Sequence, residues 1–225
     1  MRAVVRSLRT AWNALSDRGR YWVILASAVA FFSIALIWRS SSSGRPYIVQ
    51  AIVDELGMRQ VEGFAGEIRF AAAESSIDPL LIAAICFHES RGRSGQVSSA
   101  GALGLMQLVP AAAGDAARRL AIDPPTDDQV LGDPALSLRL GAAHLAWLLD
   151  HSADWPLEKV LVSYNAGRAR LFQWMEAAGG YPSWVRAQES KMADGERTNG
   201  ALIYARGVLL TMSGFQERGR IVADS

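Results

Sequence analysis

The chain has 225 residues, half of them apolar and a fifth charged, with a formal net charge of +1, one cysteine and three histidines. That composition excludes disordered, collagenous and disulfide-stapled classes. Cys86 has no second cysteine to pair with, and the scattered His88, His144 and His151 do not make a Cys/His zinc cluster, so neither an internal disulfide nor a structural metal is expected.

The near-neutral charge hides two opposed parts. Up to Arg45, seven arginines stand against Asp17 alone, so this first fifth carries about +6 and the remainder about −5. An acidic remainder lacks the basic surface that sequence-independent phosphate binding needs, so no nucleic-acid partner is expected. In residues 1–20, Val4, Leu8, Trp12 and Leu15 recur at helical spacing among arginines, which fits either a helix on the inner leaflet or a disordered basic tail. Residues 21–38, YWVILASAVAFFSIALIW, carry no charge and as a helix would extend about 27 Å, enough to cross a bilayer. Tyr21, Trp22 and Trp38 stand at its two ends, where aromatic rings suit the headgroup region. Five arginines precede the span, and Arg39 and Arg45 closely follow it, which places the N-terminus in the cytoplasm and the rest beyond the membrane. A cleaved signal peptide has a shorter apolar core followed by small residues. Here Trp38, Arg39 and serines follow, and only Ala26-Ser27-Ala28 inside the run offers a cleavage site.

Residues 39–46 read as a flexible linker (SSSSGRP closes it), and residues 47–225 as one domain large enough for a core. Beyond the linker the apolar spacing is helical, as in Leu138, Ala142, Leu145, Leu148 and Leu149, and no alternating β-branched run competes. Asp78-Pro79 predicts a helix start, with Gly92 beyond its end, and Asp133-Pro134 predicts another. Pro110, Pro124 and Pro125 break the chain between them into short pieces, and a third helix starts near Pro156. The domain is therefore mainly α, and Cys86 reads as a small buried residue.

Three stretches could carry chemistry. The apolar run LLIAAICF ends on His88, Glu89 and Ser90, which delivers a carboxyl group at a helix C-terminus, where the negative end of the dipole raises its pKa and suits a general acid. On spacing alone, a solvated helix-end glutamate is the better reading. Gly101-Ala102-Leu103-Gly104-Leu105-Met106-Gln107 has glycines where backbone turns tightly or approaches a ligand, but no Lys-Ser/Thr follows as in a phosphate loop. Ser163-Tyr164-Asn165-Ala166-Gly167 sets a phenol and an amide at a helix end, which suits hydrogen bonding to a sugar or equally a plain helix cap. Zinc-protease and serine-hydrolase patterns are missing.

In this order, Glu89-Ser90, Ala100 through Pro110, Asp133-Pro134 with Leu140-Gly141-Ala142-Ala143-His144-Leu145, and Tyr164-Asn165-Ala166-Gly167 resemble the soluble lytic transglycosylase (SLT) family, related to goose-type lysozyme. The resemblance covers roughly residues 68–210. It implies a mainly α, lysozyme-like domain that cleaves the MurNAc-β-1,4-GlcNAc bond of peptidoglycan, leaves a 1,6-anhydro end and needs no cofactor. By that resemblance Glu89 is the acid and then the base, and Ser90 orients the glutamate or the muramoyl group. Gly104, Leu105, Met106 and Gln107 line the cleft. Tyr164 hydrogen-bonds the catalytic carboxyl, Asn165 holds the N-acetyl group, and Tyr204 matches a second tyrosine at the glutamate. The sequence departs from the family at Gly200 and Ala201, where Glu-Thr is usual, and at Gly92, Ser94 and Ala112. Asp115, Asp123, Asp127 and Asp128 lie in connections or a surface-like helix, so no second catalytic carboxylate is expected. The competing expectations are a hydrolase on the same fold and a glycan-binding scaffold. The expected setting is a single-pass protein of the bacterial inner membrane, its domain in the periplasm, serving an envelope-spanning assembly.

Overall fold

The computed structural model describes residues 44–223, together with Ser16 and Gly19. The expected span 21–38 lies outside the described residues, as does the tail before it save those two positions. No helix among the described residues is long and apolar enough to cross a membrane. The chain divides into compact units of residues 1–53 and 54–225. Apart from Ser16 and Gly19, the described part of the first is the opening of α1 (Gly44–Glu62), and the second holds the remainder of that helix and every later element. Helix α1 begins inside the stretch read as linker, because Pro46 falls in its first turn, where a missing N–H breaks no helical bond.

The remaining helices are α2 (Ala65–Ser75), α3 (Pro79–Ser90), α4 (Pro110–Arg119), α5 (Asp127–Gly132), α6 (Pro134–Asp150), α7 (Leu157–Ala166), α8 (Arg168–Ala178), α9 (Tyr181–Ala193) and α10 (Gly200–Arg218). Two of the starts read from the sequence form as expected. Asp78 accepts a hydrogen bond from the Leu80 N–H at 2.8 Å with Pro79 at the first helical position, and Asp133 does the same for Leu136 ahead of Pro134. Helix α3 stops one residue earlier than Gly92 suggested, with Arg91 itself in the left-handed conformation at φ 56°.

Helix α3 is the centre of the domain. Leu81 through Phe87 are each no more than 5% exposed, so from Leu81 to its last turn the helix has no solvent face. It packs against α2 and α10, while α10 also packs on α7 and α2 on α6. Residues of these helices form the larger apolar cluster. A smaller cluster, built from Leu103, Leu108, Ala113, Ala116, Ala117, Val130, Leu140 and Ala143, holds α4 and α5 to the other side of α6. Tyr164 on α7 packs against both clusters.

Between α3 and α4 the chain makes a compact loop rather than a helix. Leu103 pairs with Val97 and with Leu108 in isolated antiparallel bridges, and Gly101 and Gly104 have φ of 77° and 73°. Gly104 meets two demands at once, a left-handed backbone and a close approach to Ser137 on α6. Met106 is fully buried against Gly141 of α6, where a Cβ would stand 2.6 Å from the Met106 Cβ. Gly141→Ala must therefore lift this loop off α6. We expect it to lower folding stability by about 1–3 kcal/mol, read as a lower urea midpoint at unchanged slope. An unchanged midpoint would mean that the loop shifts freely.

Candidate active site

A cleft of about 660 Å³ opens over the join of the two clusters. Its lining includes Glu89 from α3, Ser98, Ala102, Gln107 and Leu108 from the loop, His144 and Trp147 from α6, and Tyr164, Asn165 and Arg168 around the α7–α8 corner. Glu89 is the only carboxylate in that lining. Asp115 is engaged with Arg118, and Asp127 and Asp128 stand in the first turn of α5, so none of the acids set aside from the sequence enters the cleft.

Glu89 sits on the last turn of α3, half-buried, and burial pushes its carboxyl up to about 7. The direction matches the expectation, and the main cause is desolvation: an apolar surround penalises the ionised form. The Tyr204 hydroxyl acts in the opposite sense and partly offsets the shift. That hydroxyl is buried without a well-formed hydrogen bond, and the Glu89 carboxyl is the group it faces. Tyr204 thus lies against the glutamate, although α10 carries Gly200 and Ala201 where the family pattern differs.

The other expected residues divide between cleft and scaffold. Gln107 and Asn165 face the cleft. Ser90 does not: it is 1% exposed, its hydroxyl lies 2.9 Å from the Leu105 carbonyl and 3.1 Å from that of Cys86, and it accepts from the Gly92 N–H. It ties the loop to α3 and reaches neither the glutamate nor a ligand. Leu105 and Met106 are fully buried, and Gly104 is turned onto Ser137, so of the four loop residues expected at the cleft only Gln107 lines it. Tyr164 lines the cleft, but its hydroxyl donates to the Met106 carbonyl at 2.9 Å, in place of the expected bond to the catalytic carboxyl. Gln107 braces the loop as well, donating to the Gly104 and Gln96 carbonyls. With Ser137 accepting from the Leu105 N–H, the backbone from 104 to 107 is held at four points.

Sequence reasoning assigned no role to His144, Trp147 or Arg168. His144 and Trp147 lie three apart on α6, hence on one face, and Arg168 follows directly on the Tyr-Asn-Ala-Gly stretch; those spacings were the available signals. His144 stacks on Trp147 at 6.0 Å and meets Tyr164 edge-on, and burial lowers its pKa to about 4, so the ring is neutral at pH 7. Cys86 is fully buried, with its thiol pushed up to about 12, and is chemically inert. No group of three metal-ligating side chains occurs among the described residues.

Helices arranged in this way around a cleft with a single acid in its lining define a lysozyme-like domain. The lytic transglycosylase Slt from Pseudomonas aeruginosa, solved as an inactive mutant, shares the fold at a TM-score of 0.60 and 23% identity, covering 96% of this chain and 34% of that one. Residues 67–186 match the Transglycosylase SLT domain, and the chain belongs to that family. Endo-type membrane-bound lytic murein transglycosylase A from Klebsiella pneumoniae is 40% identical over 79 residues, 35% of this chain and 39% of that protein. The transglycosylase of Enterobacteria phage PRD1 is 33% identical over 115 residues, 51% of this chain and 38% of that protein. The chain spans less than half the length of the curated relatives it matches.

The raised pKa makes Glu89 a liability for folding as pH rises. Between about 4.5 and 7 the unfolded chain has released this proton while the folded one retains it, so stability falls through that window. Glu89→Gln removes the effect. Across the window we expect the wild type to lose about 3 kcal/mol relative to the variant, measured by urea unfolding at stepped pH. Parallel stability curves would mean that the carboxyl titrates as it does in water.

Proposed function

We propose that this chain is a peptidoglycan lytic transglycosylase with Glu89 as its single acid and base. The observation that carries the reading is a lone carboxyl, buried enough to hold its proton near neutral pH, at the cleft of an SLT-family domain. The names of the relatives, among them a lytic murein transglycosylase, agree with it.

The reaction follows from one carboxyl group. Protonated Glu89 gives its proton to the glycosidic oxygen as the bond from C1 of the muramoyl sugar to that oxygen breaks. With no second carboxylate in the lining, the substrate's own N-acetyl group, held by Asn165, stabilises the positive charge at C1. Glu89, now ionised, takes the proton from the C6 hydroxyl as that oxygen bonds to C1. The carboxyl ends protonated, no water is consumed, and the product carries a 1,6-anhydro ring. Tyr204 stabilises the ionised glutamate between the two steps.

The place of action completes the proposal. The uncharged run 21–38, with its arginine-rich N-terminal flank, anchors the protein in a bacterial inner membrane and leaves the domain in the periplasm. An anchored wall-cleaving domain acts only on nearby strands, which suits local opening of the wall for an envelope-spanning assembly. The test is digestion of purified peptidoglycan by the wild type and Glu89→Gln, with released muropeptides identified by mass. Anhydro-muropeptides from the wild type, with at least about a thousandfold less from the variant, are expected. Reducing-end products would make the protein a hydrolase, and no release from folded protein would favour a glycan-binding scaffold.

A further inference from the structure

The last turn of α3 sends two neighbouring side chains in different directions. Glu89 lines the cleft, whereas His88, outside that lining, lies on α10. Its ring touches three successive turns of that helix. It meets Tyr204 edge-on with ring centres 5.8 Å apart, a Cβ on Gly207 would stand 2.7 Å from its Cε1, and its Nε2 lies 2.9 Å from Thr211 Oγ1. Positions 204, 207 and 211 share one helix face. Phe87 extends the contact, edge-on to His88 at 5.3 Å and to Phe215, one turn beyond Thr211, at 6.4 Å.

These contacts fix α10 in the two ways that matter for Tyr204. The bare Cα of Gly207 sets how closely the helix approaches the ring, because any larger residue there would have to displace it. The Thr211 contact sets where α10 stands along its own axis. Tyr204 is one turn from Gly207 on the same face, and its buried hydroxyl faces the carboxyl of Glu89, the residue next to His88. A displacement of about 1 Å in such an arrangement is enough to cost catalysis.

The ring acts by its shape and its hydrogen bond. Burial first, and then the Arg91 guanidinium, lower its pKa, with the Gly207 carbonyl and Asp54 of α1 acting in the opposite sense, so the imidazole is mainly neutral at pH 7. Arg91 is itself paired with Asp54 at 3.2 Å. The titratable groups around Glu89 are Tyr204 on α10, Tyr164 on α7 and Cys86 on α3, all kept protonated by burial. A neutral His88 therefore reaches the carboxyl through Tyr204.

We propose that His88 is a positioning residue: wedged against Gly207 and bonded to Thr211, its ring holds α10 where the Tyr204 hydroxyl meets the carboxylate that Glu89 becomes between the two steps. The inference rests on reading Glu89 as the acid and base of the proposed reaction.

The test follows the Glu89 carboxyl carbon resonance against pH in the full chain in detergent micelles, beside turnover of soluble glycan strands. His88→Leu keeps the first branch point of the side chain but lacks the Cε1 and Nε2 that touch Gly207 and Thr211. It is expected to raise the Glu89 midpoint by about one pH unit, the worth of one hydrogen bond to a charged group, and to lower kcat about tenfold at unchanged KM. Tyr204→Phe should raise the midpoint equally, and the double variant should rise no further than either single one. Thr211→Val should move it the same way by less, and His88→Gln, whose amide can reach the Nε2 position, should restore most of it. An unmoved or lowered midpoint in His88→Leu or Tyr204→Phe, shifts that add in the double variant, an unchanged kcat, or a loss in His88→Gln equal to that in His88→Leu would overturn the proposal. If His88→Leu does not fold, Thr211→Val decides, and an unmoved midpoint there overturns it. The expected shifts in a protein that releases no muropeptides would overturn the catalytic reading and leave the placement of Tyr204 by His88 standing.

Discussion

A carboxyl group placed at the end of a helix that is buried on every side has little water in which to spread its charge. Helix α3 creates that situation: from Leu81 to Phe87 it lies wholly inside the larger cluster, and its first departure from the core is the turn that carries His88 and Glu89. Desolvation then sets the chemistry, because a carboxyl with a pKa of about 7 can give and take a proton under the same conditions. The rest of the domain keeps that group in place. Tyr204 limits how far the shift goes, α10 and α2 pack against the helix, and the cleft meets the carboxyl at its last turn.

The second requirement is a floor that does not move. The loop between α3 and α4 has little regular structure of its own, yet it is fixed by side chains from three helices. Ser90 of α3, Ser137 of α6 and Tyr164 of α7 each bond its backbone, and Met106 is sunk against Gly141. These polar side chains satisfy buried backbone groups that a helix or sheet would otherwise have paired. The same residues that mark the family in the sequence therefore divide by task. Glu89, Gln107 and Asn165 face the cleft, while Ser90, Leu105 and Met106 build the platform beneath it.

That division explains how far the sequence could be read. The helix starts at Asp78 and Asp133 were legible because capping is local: an aspartate before a proline satisfies the N–H two or three residues on, whatever lies around it. The turn that carries Glu89 was legible because an uninterrupted apolar helix fixes where its first polar residues, His88 and Glu89, emerge, but spacing alone favoured a solvated glutamate, and the expected acid–base role came from the family resemblance. Whether Ser90 points at a ligand or at the Leu105 carbonyl depends on a loop 15 residues away, so spacing alone could not separate the two. The same holds for Tyr164, whose partner Met106 is 58 residues distant. Arg168 escaped notice because only the folded arrangement brings it into the lining of the cleft.

The central claim is that Glu89 keeps its proton to about neutral pH. The most direct measurement is the carboxyl carbon resonance of Glu89 in glutamate-labelled protein, assigned by its loss in Glu89→Gln and followed from about pH 3 to 9, a range that brackets both candidate midpoints. A titration midpoint near 7 is what the burial of this group predicts. A midpoint near 4.5, that of a glutamate in water, would contradict the account and return Glu89 to the status of a solvated helix end.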